Sequence, residues 1–335
     1  MKGFIEQIRK GENLTPEEIE TVMQAIMEGV AEPGDVSDFL LALNDKGPSV
    51  EEITSAAKIM RRFVVEIKTR QKVILDTCGT GGDRKDTFNI STAAALVVAG
   101  AGVAVAKHGN RSVSSRCGSA CVLEELGVNL DAEESCLSEC LDQAGIAFLF
   151  AQRLHPAMKN VAPVRKALGV KTIFNVLGPL TNPARATHQV MGVYSRELVV
   201  PMAHVLKNLG LKRALVVHGA DGLDEVTTTG RTFVAEYNGK DILSYDIEPS
   251  ETGISQAKDH DLKGGTVEDN AAIISDVLGG TKGPRRDIVV LNAAYALYTA
   301  ERARDIPAAV NLAIASIDSG QARQKLDQLI AITNR

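Results

Sequence analysis

The sequence lacks an apolar run long enough to cross a bilayer. Its longest uncharged apolar stretch, residues 93–106, contains two glycines and is shorter than the roughly 20 residues of a membrane helix. Residues 1–18 also lack an apolar stretch of signal-peptide length after their basic residue. We therefore expect a cytoplasmic protein with no membrane partner, in which residues 93–106 form a buried helix followed by a buried strand.

An excess of basic residues is also missing. The 335 residues include 42 acidic and 37 basic side chains, which gives a net charge of −5 at pH 7. This balance offers no general positive field for nucleic acid, so we expect no nucleic-acid partner. Hydrophobic residues make up 44% and charged residues 24% of the chain, which excludes disordered, collagen-like and coiled-coil classes. The length predicts about two domains.

Cysteine is scarce, and the five cysteines of a chain without an export signal favour reduced thiols. Four of them form two C-x3-C pairs, Cys117 with Cys121 and Cys136 with Cys140, which is close to a zinc-site spacing. We favour packing, because Cys136 and Cys140 lie at i and i+4, where small apolar side chains line the inner face of a helix. A zinc-stabilised binding module without enzymatic activity is the alternative.

The first fifth of the chain predicts helices only. Thr15 and Ser49 each begin a capping box before an apolar helical pattern. Three or four short helices cannot bury all their faces alone. We therefore expect residues 1–70 to form a small helical domain, joined by helices from about 156–185, that packs on the rest or on a second copy.

Strands and helices alternate in the remainder, residues 71–335. Buried strands are expected at residues 73–76, 103–106, 146–150 and 214–219. Strands that alternate with helices are typical of parallel pairing with right-handed crossovers, whereas residues 233–249 predict an antiparallel hairpin. The fold class is therefore α/β, with a small helical domain and a large α/β domain that has a central, mostly parallel sheet and a helical C-terminus.

Ligands of open α/β sheets bind beyond the carboxyl ends of the strands, and the first loop there is glycine-rich. Residues 76–83 read DTCGTGGD, and TFNIST follows at residues 87–92, at a helix start. The glycines expose backbone N–H groups, and the Asn, Ser and Thr side chains add donors where a helix already presents free amides, which suits an anion. A plain glycine turn is the alternative.

The second loop, residues 107–116, is basic. KHGNRSVSSR holds three cations, a histidine, an amide and three hydroxyls, with no acid. In an acidic chain this concentration predicts recognition of a second anionic group; a solvated loop is the alternative. His108 is a candidate proton shuttle, although a lone histidine more often packs or donates one hydrogen bond.

The third loop, residues 219–225, places the adjacent acids Asp224 and Glu225 at a strand end. Beside phosphate-binding loops such a pair fits Mg²⁺ held partly through substrate oxygens and water, although pairs of this kind are also common on surfaces. Together the three loops describe a site for a doubly phosphorylated, magnesium-bound small molecule.

A fourth element follows the strand at residues 146–150. Pro156 suits the first position of a helix, and Pro163 should interrupt that helix soon afterwards. Arg165 is a candidate clamp for a carboxylate, since its planar fork pairs bidentately; a surface arginine is the alternative. Residues 174–183 predict a rigid connection.

At these residues the sequence resembles the anthranilate phosphoribosyltransferase family. The matching motifs occur in family order: GTGGD with TFNIST, KHGNR with SSRCGSA, HPAMKNVAPVR, TIFNVLGPLTNPA and GADGLDE. The resemblance implies a fold shared with pyrimidine nucleoside phosphorylases, a homodimer formed through the helical domain, and Mg²⁺ as cofactor. It implies transfer of the 5-phosphoribosyl group from 5-phosphoribosyl diphosphate to the amine of anthranilate with release of pyrophosphate, the second step of tryptophan synthesis from chorismate.

The resemblance also implies roles for individual residues. The implied donor-binding residues are Gly79, Gly82, Asp83, Thr87, Asn89, Ser91, Thr92, Lys107, Ser115 and Ser119. The implied anthranilate-binding residues are Gly79, Asn110, Arg165, His108 and His155. The implied magnesium ligands are Ser91, Asp224 and Glu225. No covalent nucleophile is assigned, because the loops offer no set of nucleophile, base and orienting group.

Two departures from the family pattern stand out. Cys121 occupies the position where the family usually has Asp, and Arg84, Lys85 and Asp86 follow GGD where the family often has glycine. The first departure touches none of the implied site residues, and the second makes the loop tip more charged. The nearest rival function is a pyrimidine nucleoside phosphorylase on the same fold, but the acidic pair and the KHGNR loop suit a diphosphate donor better.

Overall fold

The fold is α/β, and the computed structural model describes residues 1–111 and 117–335. The helices are α1 (Lys2–Arg9), α2 (Pro16–Glu28), α3 (Pro33–Lys46), α4 (Val50–Met60), α5 (Ile90–Gly100), α6 (Ser119–Glu125), α7 (Glu134–Glu139), α8 (Ala151–Leu154), α9 (Ala162–Leu168), α10 (Phe174–Leu177), α11 (Val199–Asn208), α12 (Val267–Leu278), α13 (Pro284–Thr299), α14 (Ile306–Asp318) and α15 (Gln321–Thr333). The strands are β1 (Ile74–Gly79), β2 (Ala104–Gly109), β3 (Ile146–Phe150), β4 (His188–Gly192), β5 (Arg213–Gly219), β6 (Thr232–Tyr237) and β7 (Ile242–Ile247). Every helix in the described ranges is too short or too polar to cross a membrane.

One sheet of seven strands runs through the larger part of the molecule, in the order β3-β2-β1-β4-β5-β6-β7. The first five strands pair in parallel, and β6 and β7 add an antiparallel hairpin. This confirms the predicted fold class. Along the chain, β2 and β3 are added on one side of β1, and β4 is then added on its other side. The boundary between β1 and β4 is therefore the topological switch point. Sheets of this kind bind ligands at that point.

The sequence analysis missed β4, which lies in the middle of the sheet. Its sequence begins with the polar residues His188 and Gln189, yet both are buried. Gln189 is accommodated because its Nε2 donates a 2.7 Å hydrogen bond to the carbonyl of Pro179. A strand whose polar side chains are satisfied by a distant segment carries no apolar signal of its own.

The helix that begins at Pro156 ends before Pro163, as predicted, but Pro163 also belongs to the helix that follows. Residues Pro156–Asn160 form a short 3₁₀ turn, and Pro163 then lies in the first turn of α9. A proline is tolerated there because its missing N–H would have no partner within the helix. Pro163 therefore lies at the start of the next helix.

Two apolar clusters hold the layers together. One packs α1–α4 with side chains from residues 157–180, with α11 and with one face of β4–β6. The other packs α5, α6 and α12–α15 against the opposite face of the sheet. Residues 157–180 thus share an apolar core with the N-terminal helices. The predicted helical domain, with its boundary at residue 70 and its additional helices, stays a prediction.

The cysteines do not form a zinc site in the part of the chain that the structure describes. No group of three or more His, Cys, Asp or Glu side chains there could hold a metal ion. All five cysteines carry reduced thiols. Cys136 donates to the carbonyl of Ile332 at 3.4 Å, and Cys140 is fully buried in the apolar cluster, which supports the packing interpretation.

The start of α4 leads to a prediction about stability. Glu52 is fully buried, and its carboxylate accepts from the N–H of Leu14 at 3.0 Å, the N–H of Ser49 at 2.7 Å and Nζ of Lys46 at 2.7 Å. We expect Glu52→Ala to lower the free energy of unfolding by about 3 kcal/mol, because three donors lose a buried partner. The exposed neighbour Glu51 is the control; its alanine variant should change stability by less than about 0.5 kcal/mol in urea denaturation. Equal losses for both variants would contradict the assignment.

Candidate active site

The three loops singled out in the sequence meet at one edge of the sheet. They follow β1, β2 and β5, whose carboxyl ends share that edge because the strands run parallel. The N–H of Gly81 donates to Asp224 Oδ2 at 2.8 Å, and the N–H of Ser91 donates to Glu225 Oε1 at 3.2 Å. From the second loop, Lys107 Nζ donates to Ser91 Oγ at 3.3 Å. These hydrogen bonds connect all three loops directly.

Asp224 and Glu225 place two acidic groups next to each other at this edge of the sheet. Burial raises the pKa of Asp224 well above its usual range, and the neighbouring Asp83 raises it further. Burial likewise raises the pKa of Glu225, reinforced by Asp224 and partly offset by Lys107. A cation placed between these groups would relieve both penalties. The donor set, two carboxylates and the hydroxyl of Ser91, consists of the hard oxygen ligands that Mg²⁺ prefers.

Two glycines let the acidic loop approach the strands. A Cβ on Gly79 would lie 2.3 Å from Asp224 Oδ2, and a Cβ on Gly192 would lie 1.6 Å from the carbonyl oxygen of Asp224. From the other side, Asn292 on α13 clamps the backbone of Val226, accepting from its N–H at 2.9 Å and donating to its carbonyl at 2.8 Å. Gly192 and Asn292 escaped the sequence analysis, since neither belongs to one of the three loops.

The glycine loop has an unusual backbone. Gly81 and Gly82 adopt positive φ angles of 64° and 78°, and so do Arg84 at 58° and Asp86 at 51°. Aspartate tolerates this left-handed conformation, but at Arg84 it costs roughly 1 kcal/mol relative to glycine. The departure from the family pattern at Arg84 therefore falls where the backbone favours glycine. The N–H of Lys85 donates to Asp83 Oδ1 at 3.2 Å.

The beginning of α5 carries two polar atoms without partners. Asn89 precedes the helix, and its Nδ2 donates to the carbonyl of Cys117 at 3.2 Å, whereas its Oδ1 is buried with no partner among the described residues. The hydroxyl of Thr92 is also buried and unpartnered within those residues. Thr87 lies just upstream in an isolated bridge with Lys263. The Thr92 hydroxyl can donate to an anionic ligand at this helix N-terminus, whereas Asn89 Oδ1 can only accept a hydrogen bond.

Residues at the end of the second loop lie close to its start. Ser119 opens α6 and donates to the carbonyl of Asn110 at 3.4 Å. Ser115 lies outside the described residues. Arg111 forms a two-pronged pair with Glu124 at 2.8 and 3.0 Å and approaches Cys121 Sγ at 3.8 Å. Cys121 therefore contacts an arginine of the second loop and forms no hydrogen bond to those implied site residues that the structure describes.

His108 and His155 form a buried pair. Their Nε2 atoms lie 3.0 Å apart, and His108 Nδ1 lies 3.1 Å from the carbonyl of Gly178. Burial, together with His155, lowers the pKa of His108 to about 3, and burial lowers that of His155 to about 4. Both rings are therefore neutral at pH 7, and His108 Nδ1–H donates to the carbonyl while His155 donates to His108. This arrangement favours a packed, hydrogen-bonded His108 over a proton shuttle.

Arg165 and Asn110 stand apart from this pair. The guanidinium of Arg165 is half-buried and lies 5.4 Å from the ring centroid of Phe174. Over residues 1–111 and 117–335 it has no hydrogen bond or ion pair, so it remains available for a ligand. The side chain of Asn110 accepts from the N–H of Arg111 at 2.8 Å. The structure thus joins the two histidines and leaves the other two side chains unconnected to them.

Asp76 is a site residue that the sequence analysis did not single out. The pairing of β1 with β2 covers only Ile74 and Leu75 on the β1 side. Asp76 is fully buried and then accepts from the N–H of His108 at 3.1 Å and from Asn182 Nδ2 at 2.7 Å. Asn182 Nδ2 also donates to the carbonyl of Ala106 at 2.7 Å. The two side chains replace the strand ladder where the loops begin. The sequence feature that could have identified Asp76 is a carboxylate at the end of a short apolar run.

Known proteins of similar sequence match this chain over nearly its full length, and solved structures share its fold. A family model described as "Glycosyl transferase family, a/b domain" matches residues 71–323, and its helical bundle domain matches residues 2–64. An anthranilate phosphoribosyltransferase of Symbiobacterium thermophilum is 50% identical and covers 100% of this chain and 98% of its own. The crystal structure of an anthranilate phosphoribosyltransferase from Thermus thermophilus superposes with a TM-score of 0.94 at 44% identity, covering 99% of each chain. One from Saccharomyces cerevisiae in complex with PRPP and Mg reaches 0.90 at 28% identity, covering 100% and 99%.

The close approach at Gly192 leads to a prediction. We expect Gly192→Ala to lower the free energy of unfolding by at least about 3 kcal/mol, because its methyl group would overlap the backbone of Asp224 and displace the acidic loop. Gly230 is the matched control, since nothing lies within 4 Å of a Cβ built there. Its alanine variant should stay within about 1 kcal/mol of the wild type in urea denaturation. A fully stable Gly192→Ala protein would disprove the proposed contact.

Proposed function

Because the chain belongs to the anthranilate phosphoribosyltransferase family, we propose that the loops at the carboxyl edge of its sheet bind 5-phosphoribosyl diphosphate and anthranilate. The reaction transfers the 5-phosphoribosyl group to the amine of anthranilate and releases pyrophosphate, the second step of tryptophan synthesis from chorismate. The observation that carries the site assignment is the contact between the glycine loop, Lys107 and the Asp224–Glu225 pair.

The donor is proposed to lie on the glycine loop and the start of α5. There the backbone N–H groups of Gly82 and Asp83 and the unpartnered hydroxyl of Thr92 can donate hydrogen bonds to phosphate oxygens, whereas Asn89 Oδ1 can accept from a hydroxyl of the donor. The proposed donor-binding set is Gly79, Gly82, Asp83, Thr87, Asn89, Ser91, Thr92, Lys107, Ser115 and Ser119. Lys107 supplies a fixed positive charge, because its Nζ is anchored to the carbonyl of Thr77 at 2.6 Å.

Magnesium fits the acidic end of this site. We propose that Ser91, Asp224 and Glu225 hold Mg²⁺ and that donor oxygens and water complete its coordination. Two protein carboxylates are few for a metal site without substrate, which agrees with binding as a complex with the diphosphate. When bound, the ion would neutralise negative charge on the leaving pyrophosphate.

The protein's own contribution is orientation and electrostatics. The aryl amine of anthranilate is uncharged at neutral pH, so no strong base is needed, and the neutral pair His108–His155 provides none. The difficult step is breaking the C1–O bond to pyrophosphate while positive charge develops on the ribose ring. We propose that the N–H groups of the glycine loop and the ammonium of Lys107 stabilise the departing anion.

The acceptor is proposed to bind near the second and fourth elements. The unpaired guanidinium of Arg165 would hold the anthranilate carboxylate, and Asn110 and Gly79 would orient its amine towards C1. His108 and His155 would line the entry as neutral, rigid rings. Positioning of this kind depends on geometry, since none of these groups needs to change its protonation state.

Two further expectations remain proposals. We propose a homodimer through the helical domain, and the support is the exposed apolar surface of Val30 and Leu41, which are 70% and 36% exposed. Apolar side chains exposed on a small helical unit favour contact with a partner. The cytoplasmic location expected from the sequence also stays a prediction.

Replacing the acidic pair by amides should raise the stability of the protein and lower its activity. We expect Asp224→Asn combined with Glu225→Gln to stabilise the metal-free protein, because the amide oxygens still accept both N–H bonds while the charge penalty disappears. Carboxyls with raised pKa values destabilise the fold increasingly as pH rises, so the gain in melting temperature should be larger at pH 8 than at pH 5.

The same double variant should lose at least about 100-fold in magnesium-dependent turnover, measured as loss of anthranilate fluorescence with and without 5-phosphoribosyl diphosphate. Asp276→Asn, at an exposed position on α12, is the control and should alter neither quantity. Turnover within about threefold of the wild type would refute the metal assignment. No anthranilate loss with the wild-type protein would refute the function itself.

Arg165 gives a second kinetic test. We expect Arg165→Ala to raise the KM for anthranilate at least about tenfold, because a charged hydrogen-bonding partner of the carboxylate is lost. The KM for 5-phosphoribosyl diphosphate should stay within about twofold. Lys166→Ala, the exposed neighbour on α9, should change neither value. Equal increases in both KM values would rule out a carboxylate clamp.

A further inference from the structure

Lys171 reaches the glycine loop from the segment that packs with the N-terminal helices. It lies between α9 and α10, in the segment whose neighbours Ile173 and Phe174 belong to the apolar cluster of the N-terminal helices. Nevertheless, a Cβ built on Gly82 would lie 3.6 Å from Lys171 Cε and 3.7 Å from its Nζ. The side chain therefore bridges from the helical segment to the loop that follows β1.

An aromatic ring holds the Lys171 ammonium in place. Its Nζ lies 3.3 Å from the centroid of the Tyr194 ring, which is a cation–π contact. Tyr194 follows β4, and its N–H donates to Thr80 Oγ1 at 3.0 Å in the glycine loop. The ammonium is thus positioned by the same loop that it overlies.

The Lys171 charge is not neutralised by a neighbouring acid. In the described part of the chain, no carboxylate oxygen lies within 4.0 Å of Nζ, and Nζ donates no hydrogen bond. Burial and the neighbouring Arg84 lower the pKa of Lys171, and the nearby Asp224 and Asp83 offset this in part. A solvent-exposed ammonium that is positioned but unpaired is available to an anion.

The position of Lys171 complements that of Lys107. Lys107 projects from β2, and Tyr194, which holds Lys171, follows β4. Because β1 lies between β2 and β4 in the sheet, the two lysines flank the glycine loop on opposite sides. An anion on the loop amides would lie between two positive charges.

We propose that Lys171 is a donor-binding residue whose ammonium pairs with the diphosphate group of 5-phosphoribosyl diphosphate held on the glycine loop. This inference rests on the proposed donor site. A lysine acts as a compact point charge that suits phosphate oxygens, whereas a carboxylate is better matched by the planar fork of an arginine such as Arg165. Lys171 therefore serves the donor and not anthranilate.

Steady-state kinetics of Lys171→Met and Lys171→Arg test the proposal. We expect Lys171→Met to raise the KM for 5-phosphoribosyl diphosphate at least about tenfold, with the KM for anthranilate changed less than about twofold. Lys171→Arg, which keeps the charge, should stay within about threefold of the wild type. Lys166→Met, at an exposed lysine of α9, controls for the loss of a surface charge and should leave both KM values unchanged.

Binding of pyrophosphate with Mg²⁺, measured by calorimetry, gives a readout that does not depend on turnover. Lys171→Met should weaken this binding about tenfold, and Tyr194→Leu, which removes the aromatic contact, should weaken it less. Unchanged donor KM and pyrophosphate affinity in Lys171→Met, or an equal rise in the anthranilate KM, would overturn the assignment of Lys171. Failure of the wild-type protein to bind pyrophosphate or consume anthranilate would instead overturn the proposed function.

Discussion

Asp224 and Glu225 each accept a hydrogen bond from the backbone of another loop, one from Gly81 and one from Ser91. These two bonds hold the glycine loop and the start of α5 against the acidic loop. The arrangement is electrostatically costly, because two adjacent carboxyl groups are placed in a partly buried position with Asp83 beside them. Free energy that opposes this arrangement would be recovered by a positive charge placed between the carboxyl groups. This is the physical basis for the proposed binding of a metal complex of the diphosphate at these acids.

Close backbone contact makes that arrangement possible. Gly79 and Gly192 end the two strands that flank the topological switch point, and the absence of a side chain leaves room for the Asp224 carboxylate beside Gly79 and for the Asp224 backbone beside Gly192. Asn292, on a helix behind the loop, fixes the next residue from the opposite side. The strand order, the two glycines and the buried amide of Asn292 thus together fix the position of the Asp224–Glu225 pair.

A second network forms where β1 and β2 stop pairing. Asp76 and Asn182 take over the hydrogen bonds of the strand ladder, and His108 links the same region to Gly178 and His155. The segment from about residue 155 to 183 therefore supplies side chains and carbonyls to the site while its apolar residues pack with the N-terminal helices. Through this segment the helical part of the molecule contributes groups to the candidate site, and the same segment positions Lys171.

Local patterns in the sequence predicted much of this molecule because their causes are local. The capping boxes at Thr15 and Ser49 form as expected, since they join residues three positions apart. The parallel sheet and its loops followed from short apolar runs separated by helices. By contrast, β4 begins with buried polar residues such as His188, and contacts outside the strand accommodate them.

The sequence by itself determined the fold class and the order of the loops, because periodicity, caps and glycine content act over a few neighbouring residues. Only the tertiary structure decided which groups are close enough to change one another's chemistry. Three such effects involve segments that are far apart in the chain. They are the burial that keeps the His108–His155 pair neutral, the close approach of Asp224 to Gly192, and the contact of Lys171 with the glycine loop and Tyr194. Electrostatic and steric effects depend on distance in space, and distance along the sequence does not reveal it.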